Sequence, residues 1–126
     1  MSTAGSMRLA LLAAISIGAP SADWPEWRGR GRQGIWEETG IIQRMPPAGL
    51  QVSWRVPVRA GYSGPSVARG RVFLLDHERT AGTRARERVL CLDEQTGKIL
   101  WERAWDADYR GLDYANGPRA TPTVDG

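Results

Sequence analysis

V-L-C-L-D-E-Q-T-G-K-I-L-W, from Val89 to Trp101, reads as two short strands joined by one tight turn and closed by a tryptophan. Val89, Cys91 and Asp93 alternate with Leu90 and Leu92, the period of a strand, and a second strand begins at Lys98 after Thr96-Gly97. Gly97 is the hinge, because a short hairpin connection needs a residue at positive φ and glycine supplies it without a Cβ clash. Asp93 is placed to accept hydrogen bonds from amides inside the turn.

Upstream, Leu50 to Val58 alternates enough for a strand, with Val52, Trp54, Val56 and Val58 on one face and Pro57 suited to an edge. Tyr62 to Asp76 predicts a strand at Ser66 to Ala68, a turn at Arg69-Gly70 and an apolar strand at Val72 to Leu75. Thr80 to Arg86 is polar and aperiodic, which predicts a loop, and Arg88 to Asp93 and Lys98 to Ala104 supply two further strands. Two features repeat. Pro65-Ser66-Val67 returns as Pro122-Thr123-Val124, and Ser53-Trp54-Arg55 is echoed by Leu100-Trp101-Glu102. The interval from Trp to Pro is ten residues longer the second time, which places an insertion at Trp105 to Pro118.

Small residue, Asp, T-G-K and Trp in this order, at Cys91, Asp93, Thr96, Gly97, Lys98 and Trp101, resemble the blade signature of the pyrroloquinoline-quinone (PQQ)-like β-propellers. Cys91 stands where that family usually has alanine. The resemblance implies an all-β fold, a β-propeller of four-stranded antiparallel blades, with Trp101 docking structurally on a neighbouring blade. Asp23-Trp24-Pro25-Glu26-Trp27-Arg28-Gly29, followed by Thr39-Gly40, resembles the stretch before the first blade in exported bacterial members, and Gly117 to Pro122 resembles the approach to a second blade. The expected organisation is therefore a signal peptide at 1–22, an extended N-terminal lead at 23–49, and an incomplete propeller at 50–126. Within the last, 50–58 is a closing outer strand, 62–104 the first blade, 105–118 an inter-blade loop and 119–126 the start of a second blade. Trp24 and Trp27 are expected to pack onto the propeller, with a carbohydrate-stacking surface as their alternative role. Propellers use about four to eight blades, so the chain is expected to be an N-terminal fragment whose first partners are the missing C-terminal blades.

Composition is that of an ordinary globular protein, 41% hydrophobic and 25% charged. The net charge of +3 comes with sixteen arginines and one lysine. Arg28, Arg30 and Arg32 alternate with glycines but are flanked by Glu26, Glu37 and Glu38, without an aromatic platform or recognition helix, so no nucleic-acid partner is expected. Arg8, the apolar run Leu9 to Ile17 and the small residues Ala19 to Ala22 read as a secretory signal. The run is too short to span a membrane, the true start is Met1 or Met7, and the mature chain should begin near Ala22 or Asp23 in the periplasm or outside the cell. Cys91, the lone cysteine, is expected to be a buried thiol.

Asp106, Asp108 and Asp113 form the densest carboxylate cluster, and D-A-D-Y-R-G begins like a calcium-binding loop. Arg110 occupies a position that needs a ligand oxygen and Gly117 replaces the closing glutamate, so a solvated loop is expected instead. His77 reads as a surface-turn residue, and Ser63 has no histidine placed to activate it. Arg119, between Pro118 and Ala120, is the candidate to bind an anionic group of a ligand; pairing with a neighbouring aspartate is the alternative. The expected function is that of an exported binding or scaffold module, with a protein partner or a small-molecule ligand. The alternative is the N-terminal part of a PQQ- and calcium-dependent quinoprotein alcohol or sugar dehydrogenase, whose cofactor-binding residues would come from several blades.

Overall fold

The computed structural model describes residues 22–113 and 116–125. They form an all-β structure, one open four-stranded antiparallel sheet in the order β1-β2-β3-β4, with β1 at Ser66–Ala68, β2 at Arg71–Ala81, β3 at Arg84–Asp93 and β4 at Ile99–Asp108. Every connection is a tight hairpin, so neighbours in sequence are neighbours in space. The first turn places Arg69 at φ 53° and Gly70 at φ 71°, two consecutive left-handed residues whose twist matches that of the strands they join.

The strands are longer than the sequence pattern predicts. Residues expected as a loop at 80–86 continue the β2–β3 ladder, with a bulge between Arg79 and Ala81 and only Gly82-Thr83 outside the strands. The physical reason is exposure: Glu78 to Arg84 project into solvent on both sides, so the ladder persists where apolar alternation is absent. Likewise β4 runs on to Asp108, taking in the first four residues of the expected inter-blade loop. Residues 50–58, expected as a closing strand, form no strand among the described residues; just beyond them an isolated bridge joins Ala60 to His77 at the edge of β2.

Register divides the side chains between two faces. One face carries the row Ser66, Phe73, Cys91 and Trp101, directly opposite one another on the four strands. The small thiol of Cys91 lets the rings of Phe73 and Trp101 meet above it at 6.0 Å between centroids. Cys91 is itself fully buried, and burial pushes its thiol pKa up. The other face carries Leu74, Leu90 and Leu92, with Leu90 fully buried, worth about 1.5–3 kcal/mol relative to an exposed leucine.

Residues 22–49 contain one short 3-10 turn, Arg30–Arg32. Trp24 exchanges both backbone hydrogen bonds with Val67 on the outer edge of β1, at 2.7 and 2.9 Å, and Val124 N donates to Pro25 O at 2.8 Å. The lead thus touches both Pro-x-Val repeats at equivalent residues. Trp24 meets the sheet edge through its backbone, while its ring fills the space where a side chain on Gly29, in the lead itself, would be. Trp27 is 61% exposed.

Candidate functional site

The D-E-Q-T-G-K turn is built by its own side chains. Asp93 Oδ1 accepts from Thr96 N at 2.8 Å and from Thr96 Oγ1 at 2.7 Å, while Gly97 N donates to Asp93 O and Asp93 N to Lys98 O. The Thr96 hydroxyl, then the Thr96 amide, hold the Asp93 carboxyl below the usual carboxylate range. Gly97 sits at φ 70°, the left-handed value the turn demands. It has a second reason to be glycine. The Trp54 ring lies so close that a Cβ on residue 97 would come within 2.6 Å of it, and the Trp54 indole N–H donates to Glu94 O at 2.8 Å. Trp54 and Val56, both half-buried, rest on this turn, whereas Val52 and Val58 are exposed.

From the turn the chain runs to Asp76, whose Oδ2 accepts Arg59 N at 2.8 Å. Asp76 projects from the face of Leu90 and Leu92, so residues 54–59 form a strap tied at one end to the turn through Trp54 and at the other to that face through Arg59 N. Opposite Asp76 in the register stands Arg88, which donates to both its carboxylate oxygens, at 2.7 and 3.0 Å, and reaches Glu102 at 2.8 Å. Asp76 is 1% exposed. Burial pushes its pKa up, but the hydrogen bonds from Arg88 and the Arg59 amide outweigh this and hold it below the usual range, while the same pair raises that of Arg88.

A second polar cluster lies on the opposite face, at the far end of the sheet. Glu87 accepts the Trp105 indole N–H at 3.0 Å and the Tyr109 hydroxyl. Burial and the Glu87 carboxylate keep the Tyr109 hydroxyl protonated well above the usual tyrosine range. His77 contradicts its expected place on a surface turn. It lies within β2, 5% exposed, with Nδ1 2.8 Å from Ala60 O, its ring edge-on to Tyr109 and its Cε1 against Gly117. Arg119 stands with its guanidinium 4.6 Å over the Tyr62 ring and donates to Gly117 O at 3.2 Å, and with Glu87, Trp105 and Tyr109 it lines a cleft of about 340 Å³. Beyond Arg119 this cluster leaves no pattern in the sequence, because its members come from five separated segments, at Tyr62, His77, Glu87, Trp105 to Tyr109 and Gly117 to Arg119.

The three aspartates are not brought together as ligands. Asp106 lies opposite Arg86 on β4; Asp108 accepts from Thr83 Oγ1 at 2.7 Å and pairs with Arg110 at 3.3 Å. The Thr83 hydroxyl, then the Arg110 amide, lower the Asp108 pKa. Among the described residues no group of three His, Cys, Asp or Glu is arranged to hold a metal ion. Ser63 donates to Gly64 O. No described helix is long and apolar enough to cross a membrane. The predicted signal segment lies outside the described residues up to Ser21. No family model, curated protein or solved structure matches the chain.

Proposed function

We propose that this sheet is one blade of a PQQ-like β-propeller in an exported protein, and that it serves as a binding or scaffold module rather than as a catalytic centre. The observation that carries the reading is the seat of Trp54. Its sequence neighbourhood is echoed at Trp101, and its indole lies on the D-x-x-T-G-K turn with its N–H on Glu94 O. A tryptophan preceding one sheet thus docks on that sheet's signature turn, the contact the family resemblance assigns to successive blades. Trp101 would offer the same contact to a following unit; it remains 38% exposed on the face opposite the strap. Trp105 is exposed on the same face of β4, apolar area that stacking on a second sheet would remove from water. Arg119, Tyr109 and Trp105 at the far end form the cleft through which such a module would meet a small anionic ligand or a partner's acidic side chain.

Sequencing the coding DNA beyond the codon for Gly126 tests the reading. Further D-x-x-T-G-K-x-x-W units support it, and a stop codon there refutes it. Reduction of a redox dye by the full-length protein with PQQ and calcium, above a control lacking PQQ, would replace the scaffold by the quinoprotein dehydrogenase.

A further inference from the structure

At the start of the described chain a backbone nitrogen meets a carboxylate: Ala22 N lies 2.9 Å from Glu38 Oε2, across sixteen residues and partly buried. Glu38 is half-buried while its neighbour Glu37 is exposed. The residues that follow are pinned without a gap. Asp23 Oδ1 accepts Arg69 N at 3.0 Å, Trp24 bridges Val67, and Pro25 O accepts Val124 N. We propose that Ala22 is the mature N-terminus and that Glu38 is the receptor for its α-ammonium group. The proposal rests on the export reading above.

Two independent arguments select this bond. Leader peptidases favour small residues one and three positions before the cut, and cleavage between Ser21 and Ala22 places Ser21 and Ala19 there, whereas cleavage after Ala22 would place Pro20 at the third position. Cleavage after Ser21 is also the last position that keeps every contact of the described residues, the bond from Ala22 N to Glu38 included. A cut one residue later would discard the bond to Glu38 and put the new positive charge beside Asp23, whose carboxylate is engaged by Arg69 N and lies 3.9 Å from Arg30. In the proposed step a leader peptidase hydrolyses the Ser21–Ala22 amide: water supplies hydroxyl to the Ser21 carboxyl and hydrogen to the Ala22 amine, which takes up a further proton near neutral pH. A neutral amide donor thereby becomes an ammonium, so both partners of the bond to Glu38 carry charge and the hydrogen bond becomes an ion pair. Processing would tighten the closure of residues 22–38 on themselves, beside the Trp24 bridge to β1. The charged groups around the ammonium are Glu38, Asp23, Glu37 and Arg30.

The chain, with its own first 21 residues, is expressed in a secreting bacterial host and the exported product analysed by N-terminal sequencing and intact mass. A start at Ala22 supports the proposal. A start at any other residue overturns it while leaving export intact, and a wholly uncleaved chain overturns both this proposal and the export reading. On the processed protein, the pH dependence of amine acylation at the N-terminus reads the ammonium directly. It should titrate at least about half a pH unit above the ordinary value near 8, and E38Q should return it to that value. The same titration in both proteins would overturn the role of Glu38, whatever the cleavage position.

Discussion

Gly97→Ala and Gly70→Ala form a matched pair that isolates the Trp54 contact. Both glycines have φ near 70°, so an alanine at either pays roughly 1–2 kcal/mol for the left-handed backbone, and both substitutions restrict the unfolded chain equally. Beyond that the two sites differ. A Cβ at residue 70 meets nothing within 4 Å, whereas one at residue 97 comes within 2.6 and 2.7 Å of the Trp54 ring and 3.0 Å of Val56. The indole must then leave its seat. It forfeits the hydrogen bond to Glu94 O, about 1 kcal/mol, and much of its burial on the turn, about 1–2 kcal/mol more. Gly97→Ala should therefore cost about 3–5 kcal/mol against roughly 1–2 for Gly70→Ala, read by urea unfolding followed by far-ultraviolet circular dichroism. In a Trp54→Ala background the Gly97 penalty should fall to that of Gly70, a coupling of about 2–3 kcal/mol. Equal losses for the two glycines, or a Gly97 penalty unchanged without Trp54, would refute the argument that the turn is a docking site.

Three further outcomes follow from the buried groups. Asp76→Asn leaves the Arg88 guanidinium without its bidentate partner in a site 1% exposed and should cost about 3 kcal/mol in the same unfolding assay; a loss below about 1 kcal/mol would show the pair to be dispensable. Because the Asp76 pKa is lowered on folding, its contribution is fully present above the unfolded value of about 3.9 and is lost as pH falls through the folded value, so wild-type stability should decline below about pH 4 and Asp76→Asn should flatten that decline. Cys91→Ala should be nearly neutral, within about 1.5 kcal/mol, whereas Cys91→Leu should separate Phe73 from Trp101 and cost about 1–3 kcal/mol by overpacking; the native thiol should react with a disulfide reagent only after denaturant is added.

How far these features could be read from sequence depended on the range of the interactions that make them. The Asp93–Thr96–Gly97 turn was legible because its bonds span three or four residues and depend on side-chain type alone. The extent of β2 and β3 was not, since Glu78, Arg79 and Arg86 face water and periodicity reports burial rather than pairing. His77 was misplaced because what buries it, Ala60 and Gly117, arrives from 17 and 40 positions away. Residues 50–58 showed true strand alternation, yet only Trp54 and Val56 found cover, and both found it on a turn rather than in a ladder. At the far end Arg119 was noticed for its charge, but its setting over Tyr62 beside Glu87 and Tyr109 needed the fold.

The two faces of the sheet differ in how they are covered, and the difference gives stacking a direction. On one face the strap from Trp54 to Arg59, made of residues that precede the sheet, is fixed at its two ends to Glu94 O and to the Asp76 carboxylate. On the other, Trp101 and Trp105 stand exposed on β4 and precede whatever follows it. Each tryptophan in the echoed pair, Trp54 and Trp101, belongs to chain N-terminal to the surface it would cover. Under the proposed reading a unit is therefore capped from behind and caps the unit ahead, so the contacts pass around a ring in one sense only. Trp54→Ala would then weaken this sheet's own stability, while Trp101→Ala would act mainly on its association with the next unit. Phe73 keeps the second effect from being complete, because it holds part of the Trp101 ring within this sheet.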